Sequence, residues 1–96
     1  MTQQQILEYL TAHKDRFEKQ YYLRKIGIFG SYARGDESSD SDIDIVVELN
    51  KSTMFGLVGI KNDIEEYFKT HVDIVQIRDR MNGLLRERID KEAIYV

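Results

Sequence analysis

The chain has no cysteine, no proline and only two histidines among its 96 residues. Without cysteine there are no disulfides, no thiolate nucleophile and no sulfur-ligated zinc or iron–sulfur site. Any metal must therefore sit on oxygen atoms or on His13 and His71. No proline, repeat or low-complexity stretch marks a linker, so one domain over residues 1–96 is expected. A long apolar run is also missing, and the opening Met1-Thr-Gln-Gln-Gln is polar and uncharged. Neither a secretory signal nor a membrane span is expected, which makes the cytoplasm the default location. Nor does charge of one sign dominate. Fourteen basic and seventeen acidic residues are interspersed and leave a net charge of -3, which argues for a soluble globule and against the clustered basic footprint of a nucleic-acid groove. The apolar content, 42%, supports one modest core and no second catalytic domain.

Hydrophobic spacing divides the chain into alternating helices and strands. Ile6, Leu10, His13 and Phe17 recur at helical spacing after Thr2, a potential N-cap, and predict a helix over roughly residues 2–19. The run from Leu23 to Phe29 stops at Gly30, as a buried strand would. Residues 31–41 are polar and carry Gly35, Asp36, Ser38, Ser39 and Asp40, which predicts a short helix or turn ending near Gly35 and then a loop. From Asp42 to Leu49 the pattern alternates: Ile43, Ile45, Val47 and Leu49 share one face, and Asp42, Asp44, Val46 and Glu48 the other. A helical stripe over 55–69 and a strand over 72–77 follow, and a helix between two strands implies a parallel crossover. Met81, Leu84, Leu85, Arg88 and Ile89 predict a last helix. Residues 93–96 form a tail that either pairs or stays loose.

The chemistry lies in the middle. Gly30-Ser31 is followed, after ten residues, by Asp42-Ile43-Asp44, and Asp73 stands on the next strand. Alternation puts Asp42 and Asp44 on one strand face with Cα atoms about 6.5–7 Å apart. Two carboxylates so spaced can serve Mg²⁺, which takes hard oxygen ligands, and a pair of such ions clamps both the attacking and the leaving oxygen of a displacement at phosphorus. Asp73 would add a third carboxylate from the crossover strand. Three crowded carboxylates raise one another's pKa unless a cation relieves them. Gly30 permits close backbone approach, and Ser31 opens a turn whose N–H groups can face a phosphate. Arg34 either contacts phosphate or pairs with Asp36 or Glu37.

Gly30-Ser-Tyr-Ala-Arg-Gly35 followed by Ser41-Asp-Ile-Asp-Ile-Val46 resembles the signature of the DNA polymerase β-like nucleotidyltransferase superfamily. The chain as a whole is similar to its minimal branch, the MntA-type antitoxins. The resemblance implies an α/β (α+β) fold with a small mixed sheet, the aspartates on one side and helices packed mainly on the other. It implies catalytic Asp42 and Asp44, a metal set of Asp42, Asp44 and Asp73 holding Mg²⁺ in two positions, and ATP held at Gly30 and Ser31. It further implies a cognate HEPN-domain RNase toxin as partner, silenced by transfer of AMP to a tyrosine. A chain with no room for an acceptor-gripping domain fits a protein acceptor docked on its surface.

Simpler readings compete for several residues. Alternating acids are often only the wet face of a sheet, and a lone Gly-Ser after a strand is usually a turn, so their weight comes from the combination. His13 and His71 are far apart in sequence and are expected in packing or surface roles rather than at a metal. Tyr21, Tyr22 and Tyr95 are expected at the core edge. Arg78, Arg80, Arg86 and Arg88 alternate with Asp79, Glu87 and Asp90, as in a salt-bridged helix face. Two other functions stay open: a freestanding enzyme that modifies a small molecule such as an antibiotic, and a non-catalytic module that blocks a toxin sterically.

Overall fold

The computed structural model describes residues 1–96. The first helix, α1 (Gln3–Tyr21), starts where its cap dictates. Thr2 Oγ1 accepts from the Gln5 N–H at 3.2 Å, and the Gln5 side chain accepts from the Thr2 N–H at 2.9 Å, so two otherwise orphaned donors are satisfied reciprocally. It runs two residues past the expected end because Tyr21 completes the buried stripe of Ile6, Tyr9, Leu10 and Phe17. Tyr22 then adopts the left-handed conformation and closes the helix by donating to the Phe17 carbonyl.

After β1 (Leu23–Phe29) comes the five-residue α2 (Gly30–Arg34), ended by Gly35 in the left-handed conformation. Next come β2 (Ile43–Leu49), α3 (Met54–Phe68) and β3 (Val72–Gln76). The Thr53 hydroxyl caps α3 by accepting from the Gly56 N–H at 2.9 Å. Last are α4 (Gly83–Glu92), capped by Asn82, and β4 (Ile94–Tyr95). The tail thus pairs, lying antiparallel to β1 with Gly27 opposite Tyr95 and Ile28 opposite Ile94. No helix is long and apolar enough to cross a membrane.

The sheet has the order β3-β2-β1-β4, with β2 and β3 parallel and the other pairs antiparallel. It is a mixed sheet, and α3 is the crossover between its parallel strands. One face carries Ile26, Ile28, Ile43, Ile45, Val47 and Val72, which pack with α1 and α3 into the main core. Each such side chain contributes roughly 1.5–3 kcal/mol when fully buried, so this face sets the register.

The main helical layer lies on one side of the sheet, as expected, and the opposite face is partly covered as well. Phe29 and Val46 are buried there beneath Ile89 of α4. Val46 shares this face with the aspartates, and an exposed valine flanked by Phe29 is apolar surface that α4 removes from water. Part of the aspartate face is therefore covered, and α4 comes to rest on the same side of the sheet as the aspartates.

Candidate active site

Asp44 lies on the second strand of the sheet order, opposite Phe29 of β1 on one side and Asp73 of β3 on the other. Asp42 sits one residue before β2 begins, and the ladder reaches it because the Ile43 N–H donates to the His71 carbonyl at 3.0 Å. Strand alternation places Asp42 with Asp44 and His71 with Asp73 on the same face. The parallel crossover thus sets the three carboxylates that the sequence singles out on one sheet face, although Asp44 lies outside the set whose ligand atoms converge most closely.

It also brings in His71. The His71 Nδ1 is 3.4 Å from Asp42 Oδ2 and 3.7 Å from Asp73 Oδ1, and the donor atoms of these three exposed residues all fall within 4.8 Å of one another. His13 has a packing role, stacking on Tyr9 at 4.0 Å, and His71 stands exposed at the surface, beside two of the acids. It stands two residues before Asp73, the same spacing that joins Asp42 to Asp44, and that signal was present in the sequence.

Asp44 is the least exposed of the acidic set, and its carboxyl is held above the usual carboxylate range. Burial is the main cause, reinforced by Asp73 and Asp42 and opposed by Arg88 and Arg34. The donor set fits a cation: hard oxygen atoms converge with an excess of negative charge that a divalent ion would relieve.

Gly30 explains why the strand stops where it does. Its φ of 73° lies in the left-handed region, and a Cβ there would fall 2.9 Å from Asp44 Cγ and closer still to Oδ2. Glycine is needed twice over, for backbone conformation and for space beside the carboxylate. Ser31 follows, its carbonyl accepting from the Gly35 and Asp36 N–H groups at 2.9 and 3.1 Å, which shapes the tight turn.

Arg34 is engaged with carboxylates. Its Nε donates to Asp36 at 3.0 Å and its Nη1 to Glu92 at 3.0 Å. The Asp36 pairing is one of the two alternatives its sequence context allows, whereas Glu92 was not singled out. The Glu92 carboxylate also accepts from the Gly30 N–H at 3.1 Å and lies 3.6 Å from Arg88 Nε. Burial alone would raise the Glu92 pKa, but the bonds from Arg34 and Gly30, together with Arg88, lower it on balance. No local signal links Glu92 to Gly30. They meet because β4 pairs with the end of β1 and draws the last turn of α4 to the start of α2.

Of the remaining arginines, Arg86 pairs with Asp90 at 3.2 Å along α4. Arg78 donates to Gln76. Tyr21 is buried in the core, Tyr22 lies beneath Lys51, and Tyr95 lies beneath Lys25.

Comparison with known proteins gives the same picture at the level of the whole chain. A family model described as polymerase beta, nucleotidyltransferase matches residues 12–96. The protein adenylyltransferase MntA of Thermococcus cleftensis is 31% identical over 97 residues, spanning 100% of this chain and 97% of that protein. The solved structure of a protein provisionally assigned as a minimal nucleotidyltransferase superposes with a TM-score of 0.70 at 32% identity, covering 92% of this chain and 93% of that one. A chain of the complex between tri-AMPylated Shewanella oneidensis HEPN toxin and MNT antitoxin shares the fold, with a TM-score of 0.70 at 19% identity over 98% of this chain and 71% of that one. A family match across most of the length, a full-length relative and a matching fold lead to one assignment: this chain belongs to the polymerase β nucleotidyltransferase family.

Proposed function

We propose that the protein is a Mg²⁺-dependent adenylyltransferase that moves AMP from ATP to a tyrosine of a cognate HEPN-domain RNase toxin and thereby acts as its antitoxin. The observation that carries this reading is the alignment of Asp44 with Asp73 across the parallel strands, beside a glycine that leaves the Asp44 carboxylate open to the phosphate loop. The kinship with protein adenylyltransferase MntA and the fold shared with an MNT antitoxin bound to an AMPylated HEPN toxin support the choice of acceptor.

Asp42, Asp44 and Asp73 would hold the metal, which neutralises charge developing on the α-phosphate and on the leaving pyrophosphate. Gly30 and Ser31 would receive the triphosphate, with Arg34 at the far end of the same short helix. The acceptor tyrosine oxygen attacks the α-phosphorus, and the bond from that phosphorus to the oxygen bridging the β-phosphate breaks. Pyrophosphate departs, and the tyrosine proton passes to the solvent-facing Asp73 carboxylate. Asp44, whose carboxyl is held above the usual range by burial and by Asp73 and Asp42, is the group whose ionised form a neighbouring cation would favour most. The site opens outward at the strand ends, where Asp42, His71 and Asp73 are all exposed, and this geometry suits a protein acceptor docked from outside.

The test is to mix the protein with Mg-ATP and its cognate toxin and weigh the toxin by intact-mass spectrometry. Additions of one or more AMP masses on a tyrosine are expected, lost in Asp42→Asn and in Asp44→Asn. A folded toxin that gains no mass would remove the adenylylation claim, and modification of small hydroxyl acceptors in its place would favour a freestanding enzyme. Toxin inhibition that persists in both variants would point to steric blockade.

A further inference from the structure

The acidic set is not purely acidic. The register pairs Ile43 with Val72 and Asp44 with Asp73, and the Ile43 N–H to His71 carbonyl bond carries the ladder one step further. Four side chains therefore form a two-by-two array on one sheet face, with Asp42 beside His71 and Asp44 beside Asp73. Within it, the His71 Nδ1 lies nearer to a carboxylate oxygen of both Asp42 and Asp73 than 4 Å.

Adjacent ligands of one ion with bonds of about 2.1 Å stand about 3 Å apart. The observed 3.4 and 3.7 Å separations need only a small side-chain rotation to reach that spacing. His71 is 57% exposed and makes no competing hydrogen bond to the backbone, so nothing holds the imidazole away.

Chemistry decides which ion such a set prefers. Mg²⁺ is served by carboxylates, phosphates and water, whereas an imidazole nitrogen suits first-row transition ions. Two carboxylates and an imidazole form a mixed nitrogen and oxygen set of the latter kind. We propose that His71 is a nitrogen ligand of the ion held by Asp42 and Asp73, and that it biases this position toward a divalent first-row transition ion, with Mn²⁺ as the probe, over Mg²⁺. The inference rests on the metal site of the proposed function and adds to it the choice of ion.

The experiment uses the full chain loaded with Mn²⁺ and reads electron spin-echo modulation from directly bound imidazole nitrogen. The same samples give Mn²⁺ and Mg²⁺ affinities by competition, monitored through the signal of free Mn²⁺. Wild-type protein is expected to display nitrogen modulation, absent in His71→Asn. Because loss of even an outer partner of a metal ligand typically costs about 10–100-fold, His71→Asn should lower the Mn²⁺ to Mg²⁺ affinity ratio at least tenfold. Its Mg²⁺ affinity should barely change. His71 is exposed, so the variant is expected to fold, and its circular dichroism serves as the control.

Bound Mn²⁺ without nitrogen modulation, or an unchanged affinity ratio in His71→Asn, overturns the inference and leaves the carboxylate site standing. Those results would reduce His71 to an electrostatic neighbour of Asp42 and Asp73. A separate outcome sinks the metal-dependent reading as well: no binding of either ion, or binding indifferent to Asp42→Asn and Asp73→Asn.

Discussion

Replacing Gly30 with alanine separates backbone strain from crowding at the site, because Gly35 supplies a matched control. Both glycines lie in the left-handed region, with φ of 73° and 81°, and an L residue held there costs roughly 1–2 kcal/mol. Around Gly35 an added Cβ meets nothing within 4 Å, so Gly35→Ala should lose only that amount. A loss of about 1 kcal/mol lowers the melting temperature of a domain this size by roughly 4–8 °C. At Gly30 the same strain applies, and the new methyl group also lies 2.9 Å from Asp44 Cγ and 3.3 Å from its Cβ. Overpacking of this kind adds about 1–3 kcal/mol, for a total of roughly 2–5 kcal/mol. Turning the Asp44 side chain relieves part of that cost, but only by displacing the carboxylate from its position between Gly30 and Asp73. Gly30→Ala should therefore fold, melt lower than Gly35→Ala, and lose divalent-ion binding and transfer, while Gly35→Ala keeps both. Urea unfolding with matched m-values and a Mn²⁺ titration check this. Equal stability losses in the two variants, or full ion binding by Gly30→Ala, would refute the close approach of Gly30 to Asp44.

Glu65 offers a test by pH. Its Oε2 accepts from the Val72 N–H at 2.8 Å and from Lys61 Nζ at 3.0 Å, and these bonds, the backbone one first, hold its carboxyl below the usual range. A carboxyl with a depressed folded-state pKa stabilises the protein above the ordinary glutamate value of about 4.3, and that stability fades as the pH falls through the folded value. Glu65→Gln should then be less stable than wild type at pH 7, with the gap closing in acid; a gap that stays constant down to about pH 3 would contradict the assignment. Glu92→Ala removes the acceptor of the Gly30 N–H and of Arg34 Nη1 and should cost about 1–2 kcal/mol. Chemical denaturation measures that loss, and no change would mean that water replaces the carboxylate without penalty.

Much of the architecture was legible because it depends on local periodicity. Helical stripes placed α1 and α3 to within two residues, since apolar spacing and the Thr2 cap act over a few residues of chain. Strand alternation put Ile43, Ile45 and Val47 on the buried face and the aspartates on the other. The cover that α4 gives Val46 and Phe29 has the opposite character: α4 is short, weakly apolar and far along the chain, and only the packing of Ile89 tells which face it takes.

The residues of the site divide along the same line. Sequence by itself determined that Asp42 and Asp44 point the same way, because alternation along a strand is a property of the backbone. It also determined that a glycine ends β1, where it permits close backbone approach and an unusual φ. Tertiary structure alone decided the rest. The register of β3 against β2 set Asp73 opposite Asp44 and His71 beside Asp42. The pairing of β4 with β1 brought Glu92 to Gly30 and Arg34. Those choices are made by long-range hydrogen bonding and burial, which select one strand register and one helix face out of several that local spacing leaves equivalent.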